Sequence, residues 1–344
     1  MPRPIILGVV GDSAAGKTTL TRGLVRAFGK DKVAHVCTDD YHRYDREQRA
    51  EMNITPLNPA CNHVDIMGQD LRHLRAGEAI LKPVYSHSDG TFRAPVYVRP
   101  HAFSVVEGLL GYHTPEMRAC YDVRVYLKPP EELRRHWKVQ RDCSRRGYTT
   151  DQVLAELDRR EPDSAAYIRP QERYADMVVS FMQGETDNPD RLDAEILLRE
   201  GLPHPDLSPF IGNGGRGITL EEGDRERLVQ IPGDIDPNRA AELEEAIWDR
   251  LHFAPHLRSQ RLGEFTIGID LHRSESLALV QLLILYHMAT ARAAVALGGE
   301  GTRAEGPTDE HPVIDPELDP DADSDPNAGS DPDAGPDQVS AVEQ

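Results

Sequence analysis

The residues most able to do chemistry begin at Gly11-Asp12-Ser13-Ala14-Ala15-Gly16-Lys17-Thr18-Thr19, which fits G-x-x-x-x-G-K-[ST]. In such a loop the backbone amides from Ser13 to Thr18 turn toward phosphate oxygens, and the start of the next helix adds partial positive charge. Gly11 and Gly16 belong where a Cβ would block the backbone angles or the close approach. Lys17 brings a point charge to the outer phosphates, and the Thr18 hydroxyl suits the shell of a magnesium ion that also holds two phosphates. The expected cradle of a nucleoside triphosphate therefore comprises Gly11, Ser13, Ala14, Ala15, Gly16, Lys17, Thr18 and Thr19.

A phosphoryl group in transit needs positioning, a base and charge neutralisation. Asp39 and Asp40 end a short apolar run, Lys32 to Cys37, and the carboxyl end of a parallel strand faces the ligand crevice. In an extended chain successive side chains alternate, so only one of the two is expected in the site. His42 and Arg46 can turn back toward Asp39 as donors for an anionic substrate; a charged surface loop is the plainer reading. Glu107 closes a second apolar run, Ala102 to Val106, where a magnesium-holding carboxylate is expected. Tyr85 and His87 share one face of a hairpin-like segment with an Asp89-Gly90 turn, which either decorates the surface or covers the substrate. Lys138, Arg141 and Arg145 recur at helical spacing in the richest basic stretch, Glu131 to Tyr148, capped at Gly147. They read as a lid over the triphosphate, against a solvated face laced to Glu131, Glu132 and Asp142.

Alternating strands and helices must position these groups. Ile5 to Val10, Tyr121 to Leu127 and Met177 to Phe181 read as strands, and Val64 to Leu74 and Asp151 to Arg160 as helices. The fold class expected is α/β: a phosphate-loop kinase core with a mostly parallel sheet flanked by helices over residues 1–185. A smaller α+β region follows over 186–298, with strands near Asp193 to Leu198, Gly217 to Leu220 and Arg227 to Ile231 and helices over Pro237 to Phe253 and Ser274 to Val295. From residue 299 an Asp- and Pro-rich tail lacks the apolar residues to offset its ordering entropy and is expected to be disordered.

The net charge of −19 is uneven: residues 301–344 hold thirteen acids and one Arg, −12, leaving −7 for the rest. Without a basic balance no nucleic acid partner is expected. The apolar run Leu277 to Ala289 is too short to span a bilayer, no leader pattern opens the chain, and four scattered cysteines without C-x-x-C fit a reducing compartment. A cytoplasmic protein with no membrane partner is expected.

Taken together, several segments resemble the phosphoribulokinases, most closely the form found in plants, cyanobacteria and some archaea. They are the Gly11 to Thr18 loop, Asp39-Asp40-Tyr41-His42, Pro83-Val84-Tyr85-Ser86-His87, Val105-Val106-Glu107-Gly108-Leu109, Lys138 to Asp142 with Arg146-Gly147-Tyr148-Thr149, and Tyr167 to Gln171. The likeness fades but persists to about residue 295. It implies ATP- and Mg2+-dependent phosphorylation of ribulose 5-phosphate to the 1,5-bisphosphate, with a homodimer as the expected assembly. Carried over, Asp39 is the general base, and Lys17, Lys138 and Arg141 attend the transferring phosphoryl group. His42, Arg46, Tyr85, His87 and Arg146 contact the sugar phosphate, and Thr18 and Glu107 attend the magnesium. Three positions depart from the family pattern. The resemblance implies a switch disulfide between a loop cysteine and one near the base; Cys37 matches the second, but Ala15 stands at the first, so that switch cannot form. Asp151 replaces a Glu, and Leu110 a usual His. A kinase of the same fold acting on uridine or another acceptor, and a nucleotide-binding regulator without turnover, are the alternatives.

Overall fold

Strand β1 (Ile5–Gly11) is buried at all seven positions, so it has neighbours on both edges and both faces. Ile5, Leu7 and Val9 enter one apolar cluster and Ile6 and Val10 the other, the period-2 alternation of a strand covered on both sides. The computed structural model describes residues 2–184, 191–208, 211, 217–267 and 270–303. After β1 come α1 (Lys17–Phe28), β2 (Val33–Cys37), α2 (Arg46–Glu51) and α3 (Val64–Ala76). Strands β3 (Ile80–Ser86) and β4 (Thr91–Val98) form a separate antiparallel hairpin. Then follow β5 (Phe103–Gly108), α4 (Pro115–Arg118), β6 (Val123–Leu127), α5 (Glu131–Arg146), α6 (Thr150–Asp163) and β7 (Met177–Gln183). The last elements are β8 (Leu192–Arg199), β9 (Thr219–Glu222), β10 (Glu226–Ile231), α7 (Pro237–Arg250), β11 (Glu264–Ile267), β12 (Asp270–Arg273) and α8 (Glu275–Ala296).

One sheet of eight strands runs in the order β2-β5-β1-β6-β7-β8-β10-β9. Its first five strands are parallel, and β8, β10 and β9 extend it antiparallel, so strands from both sides of residue 185 share it. The chain leaves β1 toward β2 on one side, while β6 lies on the other. That reversal opens a crevice beyond the carboxyl ends of β1, β2 and β5, where a parallel sheet receives its ligand. Gly11, Cys37 and Glu107–Gly108 end those three strands, so the fold puts the expected site residues on one edge.

Helix α8 lies within one residue of the expected Ser274 to Val295 at each end; at 22 residues it has the length and apolarity of a membrane span, yet most of it is buried in the fold. Its polar residues are spent on packing. Gln281 accepts the Gly263 amide at 2.8 Å and donates to the Leu20 carbonyl of α1 at 3.0 Å, as a buried amide must. Helix α6 runs through Pro162 and widens into a π-helical turn over Ser164–Ile168, where the sequence suggests a stop at Arg160. Thr149 and Gln152 start it with reciprocal hydrogen bonds to each other's backbone. The acidic tail expected from residue 299 lies, beyond residue 303, outside the described residues.

Candidate active site

The loop joining β1 to α1 holds Ala14 and Gly16 in left-handed conformations, φ 66° and 94°. Gly11 is fixed by space instead: a Cβ there would meet the Leu127 carbonyl oxygen at 2.6 Å. Helix α1 has no side-chain cap, which leaves its first amides free for an anion. Thr18 and Thr19 are exposed on that first turn. Lys17 Nζ folds back to donate to the carbonyls of Gly11 at 2.7 Å and Asp12 at 2.8 Å. Burial pushes its pKa down, against the pull of the Asp39, Asp12 and Glu107 carboxylates.

Three residues that the motif does not name hold the loop. Asp12 accepts the Ser13 amide at 2.6 Å and the Ser164 hydroxyl. From α5, Arg134 donates to the Ser13 carbonyl at 3.0 Å while Glu131 grips its guanidinium with two bonds of 2.7 Å. Helix α5 is therefore tied to the loop at its first turn. Its spacing gave no sign of this, because Arg134 lies outside the Lys138–Arg141–Arg145 row.

After β2, Thr38–Tyr41 forms a single 3-10 turn rather than an extended segment. Adjacent side chains in such a turn lie about 120° apart, so Asp39 and Asp40 still diverge. Asp39 Oδ1 is buried with no hydrogen-bond partner among the described residues, and Oδ2 lies 3.8 Å from His87 Nε2. Burial raises the Asp39 pKa, but His42, Lys17, His87 and Arg141 outweigh it, and the carboxylate is held below its usual range. It is thus ionised near neutrality.

His42 donates from Nδ1 to Asn62 Oδ1 at 2.8 Å, and the Asn62 amide group is itself aimed by the carbonyls of Pro56 and Asn58. Burial lowers the His42 pKa to about 4, so the ring is neutral and its Nε2 presents a lone pair. Tyr85 is buried edge-on to His42 and His87, with ring centroids 4.8 and 5.1 Å away. Arg49, which the sequence does not single out, donates to the Tyr85 hydroxyl at 2.5 Å and stacks over its ring. Arg46 opens α2, where Asp45 and Gln48 form a capping box, and donates to the His87 carbonyl at 2.6 Å. Residues 42–51 are therefore no loose charged loop.

On α5 a single carboxylate collects the cations. Asp142 receives Lys138 at 2.7 Å and Arg141 at 2.8 Å, with Arg146 at 3.5 Å, and although burial works the other way its pKa falls to about 2. Lys138 is only 3% exposed, and burial, with help from Arg141 and Arg160, pushes its pKa down to about 8 against the Asp142 charge. Arg141 acts on both Asp39 and His87, and Arg146 on His87, so the end of α5 faces the turn and the hairpin. Lys138 is instead spent on Asp142.

Glu107, 4% exposed, accepts the Thr21 hydroxyl at 3.2 Å and meets His35 Nε2 at 3.1 Å. A buried carboxylate engaged by a hydroxyl and an imidazole, close enough to Lys17 to raise its pKa, has the oxygen chemistry of a divalent-cation ligand. The Thr38 hydroxyl, by accepting the Leu109 amide at 3.0 Å, ties the end of β5 to the turn that carries Asp39. Ala15 is buried, and Cys37, its thiol pKa raised by burial and by Asp39 and Glu107, stays a protonated thiol.

Residues 6–186 match the Phosphoribulokinase / Uridine kinase family. A phosphoribulokinase of Synechocystis sp. is 39% identical over 182 residues, 53% of this chain and 55% of that one. A chloroplastic phosphoribulokinase of Mesembryanthemum crystallinum is 32% identical over 251 residues, 67% of this chain and 63% of that one. The chain thus spans between about half and two thirds of the length of these curated relatives. A uridine kinase of Lactococcus lactis is 28% identical and matches 52% of this chain. Among solved structures, a phosphoribulokinase from Rhodobacter spheroides shares the fold with a TM-score of 0.54 at 20% identity, over 73% of this chain and 97% of its own.

Proposed function

We propose, since this chain belongs to the Phosphoribulokinase / Uridine kinase family, that it transfers the γ-phosphoryl group of ATP to the primary hydroxyl of ribulose 5-phosphate, giving ribulose 1,5-bisphosphate and ADP. The observation that carries this reading is Asp39 Oδ1, a buried, ionised oxygen without a partner among the described residues and surrounded by Lys17, His42, His87 and Arg141. Leaving a buried acceptor unpaired costs about 1–3 kcal/mol unless a donor arrives. An acceptor hydroxyl is such a donor, and Asp39 takes its proton as the oxygen attacks phosphorus.

The uncapped first amides of α1, with the rest of the Gly11 to Thr19 loop and Lys17, hold the triphosphate. Lys138 and Arg141 neutralise the phosphoryl group in flight once the nucleotide competes with Asp142 for them. Thr18 and Glu107 would hold a magnesium ion, which would supply charge neutralisation at the phosphates. The neutral His42 ring accepts a sugar hydroxyl, while Tyr85, His87, Arg46 and Arg146 bound the far end, where the acceptor's own phosphate needs cations. That demand favours a phosphorylated sugar over a nucleoside. The reach of the plant relative's similarity, past the span shared with the uridine kinase, supports the same choice.

ADP release by the protein with Mg-ATP, offered ribulose 5-phosphate, uridine or cytidine, tests the acceptor. Turnover confined to ribulose 5-phosphate is expected; turnover on a nucleoside would refute the assignment. A pH dependence follows as well. Lys138 must be protonated to meet phosphate and loses its proton as pH rises through about 8, so kcat/KM for ATP should be full below that value and fall above it. Lys138→Arg, which does not titrate in this range, should remove the alkaline limb.

A further inference from the structure

Asp40 stands beside the proposed base and serves a different end of the site. Its Oδ1 accepts the Tyr85 amide at 2.9 Å, and its Oδ2 takes the ammonium of Lys82, which also donates to the Pro83 carbonyl at 3.0 Å. Lys82 and Asp40 are both largely shielded, at 8% and 15% side-chain exposure. The contact falls at the irregular point of the hairpin: Lys82 pairs with Val96 and Val84 with Arg93, so the β3–β4 register shifts between them. A bulge bends its strand and re-aims the side chains that follow, which here are Tyr85 and His87.

Apolar packing supports the hairpin mainly at its open end, where Ile80 and Val98 meet the core. The hairpin is a two-stranded sheet outside the eight-stranded one, and β4 is exposed at seven of its eight positions. A two-stranded sheet alone is marginal in water. The placement of its far half, from the bulge to the turn, therefore leans on polar tethers: Asp40 at the bulge, and Arg46 at the His87 and Gly90 carbonyls.

We infer that Asp40 is a positioning residue: through Lys82 and the Tyr85 amide it sets Tyr85 and His87 against His42 and Asp39, and so governs affinity for the acceptor rather than for the nucleotide. The inference rests on the reading that the hairpin bounds the acceptor end.

Two measurements on the full chain test it with Asp40→Asn, Lys82→Met and the double variant. Hydrogen–deuterium exchange of the free protein should show faster exchange over residues 80–98 in each variant, with β1 and the phosphate loop unchanged. Steady-state kinetics should show KM for ribulose 5-phosphate rising by about tenfold to a hundredfold while KM for ATP stays within about twofold, the kind of loss that follows a small misplacement. The double variant should resemble the singles, since the pair acts as one unit. Unchanged exchange in the hairpin, equal rises in both KM values, or additive effects would each overturn the inference. Failure of the wild type to use ribulose 5-phosphate would sink the functional reading alone, because the exchange result is decided without turnover.

Discussion

Asp39→Asn is expected to lower kcat by about a hundredfold to ten-thousandfold, the span typical of losing a positioned general base, with much smaller changes in either KM. The asparagine keeps the shape and loses the function, since a neutral amide cannot take the acceptor's proton. Stability should change little. In the wild type Asp39 Oδ1 is buried and unpaired among the described residues, a local cost, while Lys17, His42, His87 and Arg141 outweigh burial and favour the charge, so the substitution removes a cost and a gain together. The variant should therefore stay folded, and thermal unfolding beside the kinetics separates a lost base from a lost fold. A kcat within about tenfold of the wild type would mean that another group takes the proton.

Lys17→Met should be nearly as damaging, lowering kcat by about a hundredfold to a thousandfold, as for removal of one preorganised donor from a transition state, and weakening ATP as well. In the free protein the ammonium sits on the Gly11 and Asp12 carbonyls, so its charge is kept inside the loop until phosphate oxygens replace those partners. Lys17→Arg should not restore activity, because a planar fork cannot follow a point charge into so tight a turn. Steady-state kinetics with calorimetric titration of ATP check both variants. Unaltered ATP affinity in Lys17→Met would place the triphosphate elsewhere.

Some of this was legible from residue order alone. The phosphate loop and the apolar runs that end in Asp39 and Glu107 are local signals, each carried by fewer than about ten residues, and the structure places all three at one edge of the sheet. Helix α5 was readable too, since its 3.6-residue period and its Gly147 cap lie within one stretch. What escaped depends on distant partners. Arg134 reaches Ser13 across 121 positions, Asp12 meets Ser164 across 152, and Asp40 meets Lys82 across 42, and no periodicity encodes such pairs. The Asp39–Asp40 turn shows a sound conclusion with an altered cause. Alternation along an extended chain was the expected reason for their divergence, and a 3-10 turn supplies it instead. By contrast α8 was legible from the sequence as no membrane span, and Gln281 shows how its polar residues are used, tying it to α1 and to Gly263.

The most direct measurement is phosphorus NMR of the product formed from Mg-ATP and ribulose 5-phosphate, with the Asp39→Asn protein run in parallel. A new phosphomonoester on the sugar's primary hydroxyl, matched by ADP and nearly absent with the variant, is the predicted result. Inorganic phosphate alone, or a sugar bisphosphate formed equally well by both proteins, would contradict it.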